Sequence, residues 1–181
     1  LYTNAKNNGV KFELNTTVTK ELLDDVSPEF VINATGANAV FPKAFAGDNV
    51  STVTEILNGS IKLENKKVAV IGSGMTGLET SELLCEMGNK VTILEMADTI
   101  APGAYFQQLD DALPKLKEAG TVFMPSTKLL EITADGLTAE STKNGDKIKL
   151  DVDFVVLSMG CRPDNALYEQ IKDSTKYKVI N

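Results

Sequence analysis

Unbroken apolar runs alternate with segments of helical period through the middle of the chain. Val68-Ala69-Val70-Ile71, Val91-Thr92-Ile93-Leu94 and Phe154-Val155-Val156-Leu157 lack the polar alternation of a half-exposed strand, which predicts parallel strands covered on both faces. Between the first two, Leu78, Leu84 and Cys85 fall on the inner side of a helix expected from about Met75 to Met87 and closed by Gly88-Asn89. Leu109, Leu113 and Leu116 mark a second helix over Tyr105 to Ala119, in which Pro114 predicts a kink or a break. Gly120 ends it before a short strand, Val122-Phe123-Met124. From Lys128 to Asp153 the pattern becomes a meander, with strands over 129–134, 137–142 and 147–152. Its turns, Asp135-Gly136 and Asn144-Gly145-Asp146, are strong hairpin signals. This order predicts an α/β fold: a parallel sheet of about four strands with an antiparallel β-meander as a second layer.

The flanks are less regular. Tyr2 to Asn8 reads as the end of a helix, Val10 to Leu14 as a strand that Thr16 to Thr19 extends, and Leu22 to Asp25 as a turn or short helix. Pro28 to Gly36 is an apolar strand ending in Ala34-Thr35-Gly36. Residues 37–50, with Pro42, Gly47, Asp48 and Asn49, form an irregular connector, after which Thr54 is expected to cap a short helix closed by Gly59. A short helix near 166–171 and a Val179-Ile180 strand end the chain. It begins on the tail of one helix and stops within a strand, so a piece of a longer protein is expected.

The chemistry concentrates in one strand–loop–helix–strand cassette. Gly72-Ser73-Gly74-Met75-Thr76-Gly77 follows the first apolar run, and the second run ends in Glu95 about 20 residues beyond the glycines. That context, rather than the glycines alone, predicts a dinucleotide site. Gly72 permits the tight turn, Gly74 leaves the backbone open to a pyrophosphate, and Gly77 lets the helix lie close on the sheet. The N–H groups and positive end of the helix, from Ser73 through Met75 and Thr76, then face the phosphates, so no cation is required. No Lys or Arg occurs between Lys67 and Lys90. Glu95 is placed to accept hydrogen bonds from the adenosine ribose and to repel a 2′-phosphate, and Met96 beside it is not an arginine, so NAD(H) is expected over NADP(H). The plain alternative is a glycine-rich turn with Glu95 merely solvated.

Composition narrows the partners. The 181 residues carry a formal charge of −7, a single arginine (Arg162), no histidine and two cysteines. An acidic chain without a basic block argues against nucleic acid, and no apolar stretch has the length of a membrane span. The absence of histidine removes the commonest general base and metal ligand. Cys85 and Cys161 form no paired motif, so no metal site is indicated, and a cytoplasmic protein is expected.

Ala34-Thr35-Gly36, the meander and Met159-Gly160-Cys161-Arg162-Pro163 resemble, together with the cassette, the two-dinucleotide flavoprotein reductases, the FAD/NAD-linked pyridine-nucleotide oxidoreductases. The stretch from Ile32 through Gly59 looks closest to the carboxyl-terminal part of old-yellow-enzyme-like NADH:flavin oxidoreductases of the 2-enoate and dienoyl-CoA reductase type. The resemblance implies a Rossmann-like NAD domain, residues 61–165, inserted into a partial FAD domain, with 1–60 as FAD-domain segment and connector and 166–181 as the return segment. It implies that Val18 touches the FAD adenine through its backbone and that Thr35-Gly36 approach the FAD side of the junction. Glu79 would lie near the nicotinamide, and Met159-Gly160 would line its ribose. NADH and a flavin are thus the implied partners, with no acid or base required of the protein. The FAD domain's own first glycine motif, its late Gly-Asp motif, an FMN barrel and an iron–sulfur cysteine cluster do not occur in these 181 residues, so the isolated chain is expected to be inactive.

A structural ADP-binding domain of the trimethylamine-dehydrogenase type uses the same cassette without nicotinamide. Glu79 has the plain alternative of a first-turn helix acid stabilised by the helix dipole. Tyr168-x-x-x-Lys172 matches the Tyr/Lys pair of short-chain dehydrogenases, but that family spaces its glycines differently and places them at the start of the chain.

Overall fold

The computed structural model describes residues 1–181. In chain order the elements are helices α1 (Tyr2–Asn7) and α2 (Lys20–Val26), strands β1 (Phe30–Ile32) and β2 (Ala37–Ala39), a 3-10 turn (Lys43–Phe45), β3 (Val50–Thr52) and α3 (Val53–Leu57). The cassette and second helix follow as β4 (Lys67–Ile71), α4 (Met75–Glu86), β5 (Lys90–Leu94), α5 (Phe106–Glu118) and β6 (Val122–Met124). The meander is β7 (Thr127–Thr133), β8 (Gly136–Ser141) and β9 (Lys147–Leu150), and the chain ends with β10 (Phe154–Leu157), β11 (Cys161–Pro163), α6 (Ala166–Ile171) and β12 (Lys178–Ile180).

The chain divides into two units, one of residues 1–37 and 163–181, the other of residues 38–162. In the second unit a five-stranded parallel sheet has the order β3-β10-β4-β5-β6. The fifth strand beyond the four expected is Val50–Thr52, which starts on the last residue of what reads from sequence as connector. The period of two sends successive side chains to opposite faces. Val68, Val70, Val91, Ile93 and Val156 pack with Leu78, Leu84, Ala112 and Leu116 on the helical side. Ala69, Ile71, Leu94, Val155 and Leu157 pack with Leu129, Leu137, Ala139 and Val152 on the meander side. Both faces are buried, which is why these strands read as continuous apolar runs. This is a mixed α/β, Rossmann-like fold with an antiparallel layer, as the sequence predicts.

Details differ where local signals compete with distant partners. Helix α3 is capped by Thr52 rather than Thr54: the Thr52 hydroxyl accepts from the Thr54 N–H at 3.2 Å, and Glu55 returns a bond from the Thr52 N–H at 3.0 Å. Helix α5 runs through Pro114 as one element, anchored by buried Ala112 and Leu116. In the first unit, β1 pairs in parallel with β12 and is only three residues long. Residues 10–19 form no strand; Asn15 adopts a left-handed φ of 55°, which interrupts the extended backbone, and no element pairs with the segment. No helix is long and apolar enough to cross a membrane.

Candidate functional site: a crevice at the carboxyl ends of the parallel strands

Strand register brings the site together. Thr52, Leu157, Ile71, Leu94 and Met124 stand in one row across the sheet, so the residues that follow them leave it along one edge. Ligands of open parallel sheets bind outside the carboxyl ends of the strands. Here that edge carries Ser158, Gly72 and Glu95.

The glycines have separable roles. Gly72 turns with φ +102°, its N–H donating to the Leu94 carbonyl at 2.8 Å, and a Cβ there would run into the Ser158 carbonyl oxygen. A Cβ on Gly77 would meet the Gly72 carbonyl oxygen and lie 2.9 Å from Ser158 Oγ, so this glycine sets the closeness of helix to sheet. Gly74 differs. Its φ of −56° suits any residue, and a Cβ would meet nothing within 4 Å. The space in front of it is open. Helix α4 starts there with no side-chain cap and no acid in its first turn, leaving the orphan N–H groups of Met75, Thr76 and Gly77 at a positive helix end.

Glu95 is half-buried beside this loop. Its Oε2 accepts from the Ser73 N–H at 2.9 Å and the Ser73 hydroxyl at 2.7 Å, and its Oε1 accepts from the Ala97 N–H at 2.9 Å. Burial pushes the carboxyl pKa up, but the Ala97 N–H and the two Ser73 donors outweigh it and hold the group below its ordinary value; the Met96 N–H adds a smaller pull without making a hydrogen bond. A carboxylate has about four acceptor sites, so three bonds leave one, on Oε1.

These residues border a crevice of about 360 Å³. Gly72, Gly74, Glu95, Met96 and Met159 line it, together with Phe45, Thr127, Lys128 and Ser158. Ser73 lies fully buried behind the wall, Met75 packs partly against the core, and Thr76 and Gly160 are exposed outside the lining. Glu79 is exposed in the second turn of α4 and does not line the crevice. Ser158 was within reach of sequence reasoning, because it follows a buried parallel strand neighbouring the glycine strand. Phe45 arrives from the irregular connector and Lys128 from the first strand of the meander, and nothing local marks either as facing this crevice.

Val18, Thr35 and Gly36 belong to the first unit. Val18 and Thr35 line a crevice of about 290 Å³ with Thr17, Thr19, Asp164 and Gln170. The Thr35 hydroxyl donates to the Asp164 carbonyl at 2.7 Å, and the Gly36 carbonyl accepts from the Asp164 N–H at 2.9 Å. Lys172 does not serve Tyr168: its ammonium bonds Glu169 at 2.6 Å. Cys85 sits 3.5 Å from the Thr121 hydroxyl, a packing contact between α4 and the start of β6.

The chain is similar to known proteins. The family described as pyridine nucleotide-disulphide oxidoreductase matches residues 3–180. Bilirubin reductase of Mediterraneibacter gnavus is 34% identical over 161 residues, 86% of this chain and 24% of that protein. NADH oxidase of Thermoanaerobacter brockii is 30% identical over 171 residues, 91% of this chain and 26% of that protein. Among solved structures, a complex of 2-naphthoyl-CoA reductase with 2-naphthoyl-CoA superposes with a TM-score of 0.86 at 25% identity, over 99% of this chain and 28% of that one. The chain therefore spans about a quarter of the length of the curated relatives it matches (24% and 26%). With the glycine loop, the carboxylate and the meander in place and the family match running from residue 3 to residue 180, the chain belongs to the pyridine nucleotide-disulphide oxidoreductase family.

Proposed function

We propose that the chain is the NADH-binding module of an FAD-dependent oxidoreductase of the old-yellow-enzyme-like branch, which orients the nicotinamide for hydride transfer to flavin. The observation that carries this reading is the crevice itself. An open approach to Gly74 and the α4 N-terminus lies beside a carboxylate with one acceptor site to spare. The residues fit the cofactor: main-chain N–H groups suit a diphosphate, Oε1 of Glu95 suits a ribose hydroxyl, and Met96 and Met159 supply apolar cover. NADH would supply the hydride and the flavin would accept it. The chain's own part is to bind and orient, with the electronics left to the cofactors.

Residues 61–165 are read as the NAD(H) domain, and 1–60 with 166–181 as parts of an FAD domain. The crevice that joins Val18 to Thr35 supports that reading for the first unit. The names of the bilirubin and 2-naphthoyl-CoA reductases favour a reductase as the whole protein.

The test is calorimetric titration of the chain with NADH and with ADP, repeated on Gly74→Val. Position 74 accepts a side chain without internal collision, so the variant keeps its melting temperature while NADH affinity falls at least about tenfold through lost backbone approach. Equal affinities for NADH and ADP would favour a structural nucleotide-binding role instead. Undiminished NADH binding by Gly74→Val, or none by the parent chain, would overturn the site.

A further inference from the structure

We propose that Ser73 is the positioning residue through which Glu95 tells a free ribose 2′-hydroxyl from a 2′-phosphate, the two side chains acting as one selectivity unit; this rests on the NADH reading above. Ser73 is fully buried, and its hydroxyl lies between two partners. The Ala101 N–H donates to Ser73 Oγ at 2.7 Å, and Ser73 Oγ lies 2.7 Å from Glu95 Oε2. An amide N–H only donates, so the hydroxyl accepts from Ala101 and its single proton goes to Glu95. The Ser73 N–H reaches the same Oε2 at 2.9 Å. One residue therefore places two donors on one carboxylate oxygen and opposes rotation of the carboxylate.

The consequence falls on Oε1. With Oε2 turned to the loop and Ala97 holding one site of Oε1, the remaining acceptor site belongs to a carboxylate fixed in direction and kept charged. Discrimination against a phosphate depends on both, because Coulomb repulsion needs a full negative charge at a constant place. Lys128 lines the same crevice and attracts phosphate. Selectivity is then a contest between a pinned anion and a neighbouring cation, and Ser73 decides it in favour of the anion. Ala101 adds a second sign of constraint. It is buried with φ 52°, a left-handed conformation that an alanine keeps only when its surroundings hold it. Its bond to Ser73 is one of those holds.

The experiment measures the dissociation constants of NADH and NADPH on the full chain, for the parent, Ser73→Ala, Ser73→Cys, Glu95→Gln and the Ser73→Ala/Glu95→Gln double variant. The expected result is a ratio of NADPH to NADH dissociation constants that falls about tenfold in Ser73→Ala, the scale of one hydrogen bond to a charged group. Ser73→Cys, with a weak S–H donor, restores part of the ratio. In the Glu95→Gln background Ser73→Ala changes the ratio no further, the mark of two groups acting together. Equal weakening of both cofactors with the ratio intact, or independent effects in the double variant, overturns the proposal while leaving the nucleotide site standing. A parent chain that binds neither cofactor overturns the nucleotide reading and this proposal with it. Should melting show that Ser73→Ala does not fold, the Ser73→Cys ratio decides by the same comparison.

Discussion

At the scale of single residues, Glu95 both supports the glycine loop and lines the crevice. Its donors hold the folded carboxyl pKa below the ordinary value, so in the carboxylate range the unfolded chain binds more protons. The sign follows: the stability it contributes is fully present above the unfolded pKa and is lost as pH falls through the folded one. Urea unfolding of the parent and of Glu95→Gln between neutral and acid pH should show a stability gap that closes as the pH drops. A gap independent of pH would mean that the carboxyl pKa is the same in the folded and unfolded chain, so that these donors do not favour its charged form. The glycines divide differently. Gly72→Ala places a Cβ against the Ser158 carbonyl at a positive φ and should cost on the order of 3 kcal/mol of stability, read as a lowered urea midpoint. That contrasts with the silent effect on melting expected at position 74. A motif written as three equivalent glycines thus holds two that the fold needs and one that faces outward.

Among the elements, helix α4 and its entry and exit set the site's rigidity. Leu78 and Leu84 are fully buried against the sheet, and Leu84→Ala should destabilise the chain by about 2–5 kcal/mol by the usual cost of a core cavity. The capping box of α3 is a smaller term: Thr52→Ala should cost about 1 kcal/mol, measured by the same unfolding series. Elements buried on both faces were legible in the sequence, because continuous apolar runs and helical spacing are local signals. Val50–Thr52 was not, since a three-residue strand preceded by Gly47-Asp48-Asn49 and containing Ser51 owes its place to pairing with β10. Residues 10–19 failed in the opposite way. Their alternation is real, yet a strand exists only where another offers its hydrogen bonds, and none does. The site shows the same division. Gly72, Gly74 and Glu95 follow from spacing, whereas the Ser73 hydroxyl, Phe45 and Lys128 meet partners or neighbours far along the chain.

At the scale of the whole molecule, burial is unevenly shared. In the first unit only Ile171 and Tyr177 are buried, while Phe30, Ile32 and Ile180 on its paired strands are more than half exposed at 55%, 75% and 53%. The second unit holds both packed faces of the sheet. Local opening energies follow buried contacts, so amide exchange monitored by mass spectrometry should be slow across β4, β5 and β10 and fast throughout residues 1–37 and 163–181. Equal protection of the two units would contradict the packing described here. NADH should add protection at residues 72–77 and 95–101 in the second unit. The chain passes between the units at 37/38 and again at 162/163, where β2 and β11 are hydrogen-bonded to each other. The two ends of the segment 38–162 are thus neighbours, with the Val40 N–H bonded to the Gly160 carbonyl at 2.9 Å. Such a segment is a natural candidate for circular permutation: a short bridge between its ends, with new termini opened at the exposed Asn144-Gly145 hairpin, leaves every strand of the sheet in its place.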